Sequence, residues 1–404
     1  MTAYPMVHPS QRIPGARFLH APGPTRIPDE VLDAMHRQSI DLADPRLDTL
    51  IQACESGMQA LVGTQKGEVY LYSANGHGAW EVAIANVLAE ADAVFIPSTG
   101  HFSEGWAIQT EALDRRVIRT AWKPGYPIDP NEVEEVLRKD KSGEIKAVFV
   151  VQTDTSTGIT SDVQAIRQAI DAAGHPALYV VDVVSSLAAS PFAMDAMGVN
   201  LVVGGSQKGL MLPPGMGFVV VDERANQASL DNPSPKFYWD WTKRTGSHAY
   251  RKFCGTPPLQ MLMGLRAAIE LIQQEGLEAV FARHRRLAGA VFKAIEAWSS
   301  AGVIDFFCEE ADARSVSVTA VTVKGFDPET IRTVAREQFQ VAMAGGLGPM
   351  AGKVFRIGHL GDMNEPTILG ALAGIEAAML SMGVPIGRDA LPRAIDFLVA
   401  PSHG

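Results

Sequence analysis

Short, nearly continuous apolar runs recur along the first two-thirds of the chain, at residues 69–72, 93–96, 147–151, 178–182 and 201–204. Each is bounded by Gly, Pro, Ser, Thr or Asp. Runs of this length and character predict strands buried on both faces, as in a parallel sheet covered by helices. Between them the apolar positions return at helical spacing. Val163, Ile166, Ala169, Ile170 and Ala173 do so behind Ser161 and Asp162, and Trp80, Ile84, Val87 and Leu88 do so behind Gly76–Gly78. Strand and helix alternating in this way predict a mostly parallel α/β domain.

The pattern changes near residues 275–286, where a helical stretch carrying Leu271, Leu277, Val280 and Phe281 leads out of the α/β region. Residues 315–323 alternate valine with small polar residues and predict a half-solvated strand. Asp327 and Pro328 start a helix, residues 353–357 predict a further strand, and Asn364-Glu365-Pro366 opens a last long helix. The division expected is an N-terminal arm (1–24), a large α/β domain (25–285) and a smaller C-terminal α+β domain (286–404). Residues 226–254 are aromatic and polar without clear periodicity, which predicts a long loop of the kind that often carries function.

The chain has 404 residues and a formal charge of −10, which disfavours nucleic-acid or anionic-membrane partners held by basic surface. Cys54, Cys254 and Cys308 are far apart and form no C-x-x-C pair, so neither a metal site nor a disulfide framework is expected. Residues 1–17 lack the apolar core of a signal peptide, and no run reaches the length needed to span a bilayer. A soluble, cytoplasmic protein is expected.

Four features fall at strand ends, where open α/β sheets bind ligands. Ser73-Ala74-Asn75-Gly76-His77-Gly78 joins a strand to a helix, and its glycines and free N–H groups suit an anion, foremost a phosphate. A plain tight turn is the simpler reading. Asp182 closes an apolar strand and needs a cation or several donors, or else caps a following helix. Lys208 sits in Gly204-Gly205-Ser206-Gln207-Lys208-Gly209. Desolvation there would favour the neutral amine, while a lone lysine on such a loop is ordinarily solvated. Arg356, flanked by Phe355 and Ile357, suits a bidentate pair with a carboxylate of substrate or of the protein itself. An anion cradle, a carboxylate and a lysine in this order match what an aldehyde cofactor with a phosphate and a basic ring nitrogen requires.

At these residues the sequence resembles the class V aminotransferases of pyridoxal-phosphate (PLP) fold type I, and within them the serine–, alanine– and aspartate–glyoxylate aminotransferase group. The resemblance covers roughly residues 18–383. It rests on Pro22-Gly23-Pro24-Thr25, Asn75-Gly76-His77, Thr153-Asp154-Thr155-Ser156-Thr157-Gly158, Ser206-Gln207-Lys208-Gly209, and the stretch from Gly352 to His359. It implies pyridoxal 5'-phosphate as cofactor, with Lys208 forming the Schiff base and Asp182 pairing with the ring nitrogen. Asn75, Gly76, His77 and Gln207 would hold the phosphate, Thr155 would lie near the ring hydroxyl, and Phe102 would stack on the ring. Arg356 would bind the substrate α-carboxylate. It further implies a homodimer in which Thr256 reaches across to the partner's phosphate.

One position departs from that pattern: Phe253 stands where the family commonly has a tyrosine, three residues before Thr256. The missing phenol-to-phosphate bond is worth roughly 1–3 kcal/mol if nothing replaces it. The activity implied is transfer of the amino group of serine, aspartate or alanine to glyoxylate. Lys243, Arg244 and Arg251 would favour aspartate if they supplied a second carboxylate contact, and otherwise form a solvated loop face. Pyridoxamine–pyruvate transamination is the runner-up. A lyase or cysteine desulfurase is a weaker alternative, because no cysteine lies in a loop following Arg356.

Overall fold

The computed structural model describes residues 15–400, so residues 1–14 of the expected arm lie outside the described residues. In chain order the strands are β1 (Phe18–His20), β2 (Glu68–Tyr72), β3 (Ala93–Ile96), β4 (Arg116–Arg119), β5 (Ile145–Val151), β6 (Thr153–Asp154), β7 (Ile159–Thr160), β8 (Leu178–Asp182), β9 (Leu201–Gly205), β10 (Gly217–Val221), β11 (Ile304–Phe306), β12 (Val318–Val323), β13 (Val341–Gly345) and β14 (Val354–Gly358). Seven of them form a large sheet in the order β2-β10-β9-β8-β5-β3-β4. Within it β9, β8, β5, β3 and β4 run parallel, and β10 is antiparallel to both its neighbours.

Alternate residues of these strands enter opposite cores, which is why the runs look continuously apolar. β5 sends Val148 and Val150 to one face and Ala147, Phe149 and Val151 to the other. β8 does the same with Tyr179 and Val181 against Leu178 and Val180. Helices cover both faces, and polar caps set their starts. Asp162 accepts from the N–H of Ala165 ahead of Val163–Ala172, and Asn75 accepts from that of Gly78 ahead of Gly76–Val87.

A second sheet, β1-β13-β14-β12-β11, holds the C-terminal strands. β1 joins its edge parallel to β13, although Phe18 and Val341 lie at opposite ends of the sequence. Helix Leu259–Glu275 stops at Gly276, whose φ of 87° a side chain would strain, and helix Leu277–Trp298 restarts at once. This second helix serves two cores. Val280 packs beneath the large sheet, whereas Leu287, Val291, Ile295 and Trp298 pack beneath the small one.

Two local expectations change. β12 begins only at Val318, because Ser315 donates its N–H to Gly158 and the Ser315 and Ser317 hydroxyls bond to each other. It is not half-solvated at its start: Val318–Val321 are buried on both faces, between β14 and β11. Residues 226–254 are not a plain loop. Asp222 caps a helix over Glu223–Asp231, and single 3₁₀ turns follow at Trp241–Lys243 and Ala249–Phe253. Only Ala225 and Ser229 of that helix are buried, so it carries no apolar stripe to detect.

Candidate active site

The carboxyl ends of β5, β8 and β9, together with the start of helix Gly76–Val87, surround a cavity of about 200 Å³. Asn75, Gly76, His77, Gln207 and Lys208 line it, as do Phe102, Thr155 and Asp182. Eight of the ten residues singled out in the sequence therefore share one hollow. A larger cavity of about 330 Å³, bordered by Gly209, Met211 and Gly361, is not near these groups' chemistry. Its arginines are already paired, Arg26 with Asp362 and Arg283 with Glu275.

Lys208 is buried, and its amine donates to the carbonyl oxygen of Pro22. The segment after Pro22 straps down the lysine loop: Thr25 donates its N–H to the carbonyl of Gln207 and its hydroxyl to that of Lys208. Burial pushes the Lys208 ammonium down to about 7, and the nearby Arg356 charge adds to this. At neutral pH much of the amine is thus free of its proton. The simpler reading, a solvated loop lysine, fails.

Asp182 is equally enclosed. Burial pushes its carboxyl up to about 7, against two donors that favour the charged form. Oδ1 accepts from the N–H of Val184 at 2.6 Å, and Oδ2 from the indole N–H of Trp80 at 2.6 Å. No helix follows Asp182, so it is not an N-cap. Asp154 is a further buried carboxylate beside the site. It accepts from the hydroxyl of Thr99, the N–H groups of Phe102 and Ser156, and the hydroxyl of Ser156.

Asn75 commits its side-chain oxygen to capping Gly78 at 3.1 Å. The helix behind it leaves the N–H groups of Gly76 and His77 without intrahelical partners and directs its positive end at the cavity. Gln207 Oε1 is buried with no hydrogen-bond partner among the described residues. Such a side chain, which can present its amide NH₂ instead, suits a ligand oxygen. An unpartnered amide, a helix N-terminus, a desolvated carboxylate and a lysine amine whose charge burial disfavours fit a phosphate-bearing pyridine aldehyde.

Arg356 does not itself line the cavity. From β14 it donates through Nη1 to the carbonyl of Thr155, which does, and through Nε to that of Gly345. No carboxylate forms an ion pair with it among the described residues, so an internal salt bridge is not its role. Burial holds it down to about 10, still charged at neutral pH. Thr256 is exposed and outside the cavity. Phe253 is buried in the core beneath the large sheet and brings no polar group to the site.

Arg244 corrects one expectation. It neither faces solvent nor is free for a substrate, being 2% exposed. Its guanidinium lies 3.7 Å from the Tyr72 ring centroid and donates to the carbonyls of Tyr238 and Lys252. Lys243 and Arg251 are exposed. The sequence reading missed Trp80 and Asp154 as polar partners of the site. Trp80 fits the apolar helix pattern, and its spacing four residues after Gly76 is the available signal.

The fold, a large mostly parallel sheet covered by helices with a second, smaller sheet, is that of the PLP fold type I aminotransferases. Residues 17–353 match the model of the class-V aminotransferases, and the chain belongs to that family. It is 39% identical over 381 residues to the serine–glyoxylate aminotransferase of Methylorubrum extorquens, covering 93% of this chain and 94% of that one. It is also 39% identical over 368 residues to the L-aspartate–glyoxylate aminotransferase of Paracoccus denitrificans, covering 90% and 91%. Among solved structures, pyridoxamine–pyruvate aminotransferase from Mesorhizobium loti superposes with a TM-score of 0.87 at 25% identity, covering 96% of this chain and 100% of that one.

Proposed function

We propose that this chain transfers the amino group of a small L-amino acid, serine, aspartate or alanine, to glyoxylate, giving glycine and a 2-oxo acid, with pyridoxal 5'-phosphate as cofactor. The observation that carries this reading is the pair Lys208 and Asp182, at the ends of neighbouring strands, both lining one cavity and both shifted by burial to about 7. The names of the relatives above support glyoxylate as acceptor.

When bound, the cofactor supplies an aldehyde that combines with amines and a ring that accepts electrons from the substrate Cα. Lys208 would be the residue that holds that aldehyde. Its freed amine then takes the proton from the donor Cα, which needs a neutral base close to that carbon. Asp182 keeps a proton on the ring nitrogen. The N–H groups of Gly76 and His77, with Asn75 and Gln207, would hold the phosphate, and Thr155 and Phe102 would line the space for the ring. Arg356 takes the α-carboxylate and so orients the Cα–H bond. Thr256, exposed on its own subunit, completes the site of a second copy in a homodimer. A cytoplasmic location agrees with three cysteines that form no pair.

Release of 2-oxo acid from serine, aspartate, alanine and glutamate, each with glyoxylate, tests the reading. Turnover with at least one of the first three is expected, and Lys208→Ala should abolish it together with the yellow absorbance of the holoenzyme. No 2-oxo acid from any donor, alongside turnover of free pyridoxamine with pyruvate, would replace it by the pyridoxamine–pyruvate reaction.

A further inference from the structure

Trp80 lies one turn into helix Gly76–Val87, on the same side as Gly76. Its indole N–H donates to Asp182 Oδ2 at 2.6 Å, while Val184 occupies Oδ1 at the same distance. The ring cannot easily swing. It is 2% exposed, stacked on Trp106 at 5.5 Å and 12° between planes, with the His77 ring 4.5 Å away. Trp106 stacks in turn on Phe149 of β5 at 4.5 Å. The indole N–H of Trp106 has no partner among the described residues, so this aromatic stack does not exist to satisfy indoles in general. Only the one aimed at Asp182 is used.

We propose that Trp80 is a positioning residue for the reaction: its N–H fixes the carboxylate of Asp182, so that one helix presents its N-terminus to the phosphate and also sets the anion that meets the ring nitrogen. The inference rests on the reading that Asp182 pairs with that nitrogen. The geometry makes both ends of the cofactor answer to a single rigid element. It also has an electrostatic side. Each donor to Asp182 stabilises its charged form, and burial alone would favour the proton moving onto the carboxylate. Without Trp80 the carboxylate becomes a stronger base, and the proton on the ring nitrogen passes more readily to Asp182 Oδ2.

The test compares full-length Trp80→Phe with Trp106→Phe, which removes an indole from the same stack without touching Asp182. Loss of one hydrogen bond to a charged group predicts about a 10- to 100-fold weaker pyridoxal 5'-phosphate affinity in titrations of apoenzyme, with a comparable fall in kcat, for Trp80→Phe. The 15N resonance of ring-labelled cofactor should move toward the unprotonated position in that variant, and Trp106→Phe should match the wild type in all three readouts. Asp182→Asn separates the two claims. If it retains wild-type affinity and turnover, the ring-nitrogen reading itself fails. If it is impaired while Trp80→Phe matches the wild type throughout, only the role of Trp80 fails. Should Trp80→Phe not fold, the indole N–H resonance of Trp80 in 15N-tryptophan-labelled wild type takes its place. That signal is expected to shift on cofactor binding, and one unmoved by saturating cofactor overturns the inference.

Discussion

Arg356 Nη1 donates to the carbonyl oxygen of Thr155 at 2.7 Å, across 201 positions of sequence. A guanidinium rooted in the small sheet is thereby held against a loop at the rim of the large one, with Nε anchored on Gly345 and no ion pair among the described residues. Backbone carbonyls fix its direction without cancelling its charge, which leaves it available to an incoming carboxylate.

Replacing Arg356 with lysine should lower kcat/KM about 100-fold for serine, aspartate and alanine alike, since a point charge cannot reproduce a two-pronged grip. The uniform fall is the diagnostic, because every amino donor carries the same α-carboxylate. Half-reaction kinetics with each donor measure it. A donor left unaffected would remove Arg356 from that role.

Gly23 should not tolerate a side chain. A Cβ there would lie 2.5 Å from both Cδ and Cε of Lys208, and its φ of 126° strains any other residue. Gly23→Ala should cost about 1–3 kcal/mol of backbone strain or displace the lysine. A displacement near 1 Å predicts about a 100-fold loss of turnover. Thermal unfolding and cofactor absorbance, read on the same sample, separate the two outcomes.

Thr256 offers a subunit-mixing experiment. Lys208→Ala and Thr256→Ala chains, each impaired alone, should regain activity when unfolded together and refolded. If two chains pair as proposed, one site of the mixed pair carries both Lys208 and the other copy's intact threonine. No gain over the separate variants would place Thr256 outside the partner's site.

Acid should destabilise the fold through three buried histidines. His20 donates Nδ1–H to the carbonyl of Gly358 at 2.9 Å, His284 to that of Val280 at 2.7 Å, and His359 to that of Val316 at 2.8 Å. Burial lowers all three, His284 to about 4 and His359 to about 3. The unfolded chain therefore binds protons below about pH 6.5 that the folded one refuses. Their contribution is complete above that pH and lost as pH falls toward 4, at up to about 1.4 kcal/mol per pH unit for each group. Urea midpoints at pH 7.5 and 5.5 should drop in the wild type and drop less in His359→Gln. An equal drop in both would place the acid sensitivity elsewhere.

Strands β3, β5, β8 and β9 were legible because both their faces are buried and such runs are conspicuous, whereas β10, equally buried between β2 and β9, was not singled out. Lys208 and Asp182 were legible because they interrupt or end such runs. Strand β4, with Arg116 and Arg119 at its ends, was not, since an edge strand carries charge. Arg244 looked solvated because composition cannot reveal a cage made by Tyr72, Tyr238 and carbonyl oxygens brought together by folding. Trp80 was hidden for a related reason: its ring obeys the apolar pattern, and only its single N–H does chemistry.

The place of β1 bears on how the chain matures. His20 bonds Gly358 across 338 positions, and Phe18–His20 has no strand to lie beside until residues 341–343 have been synthesised. On a ribosome, the segment that ends by touching the lysine must wait for nearly the whole polypeptide to emerge. Closing so long a span is slow and exposes an unpaired edge meanwhile. Pairing of β1 with β13 is accordingly a late step of folding, because it joins strands from opposite ends of the described chain.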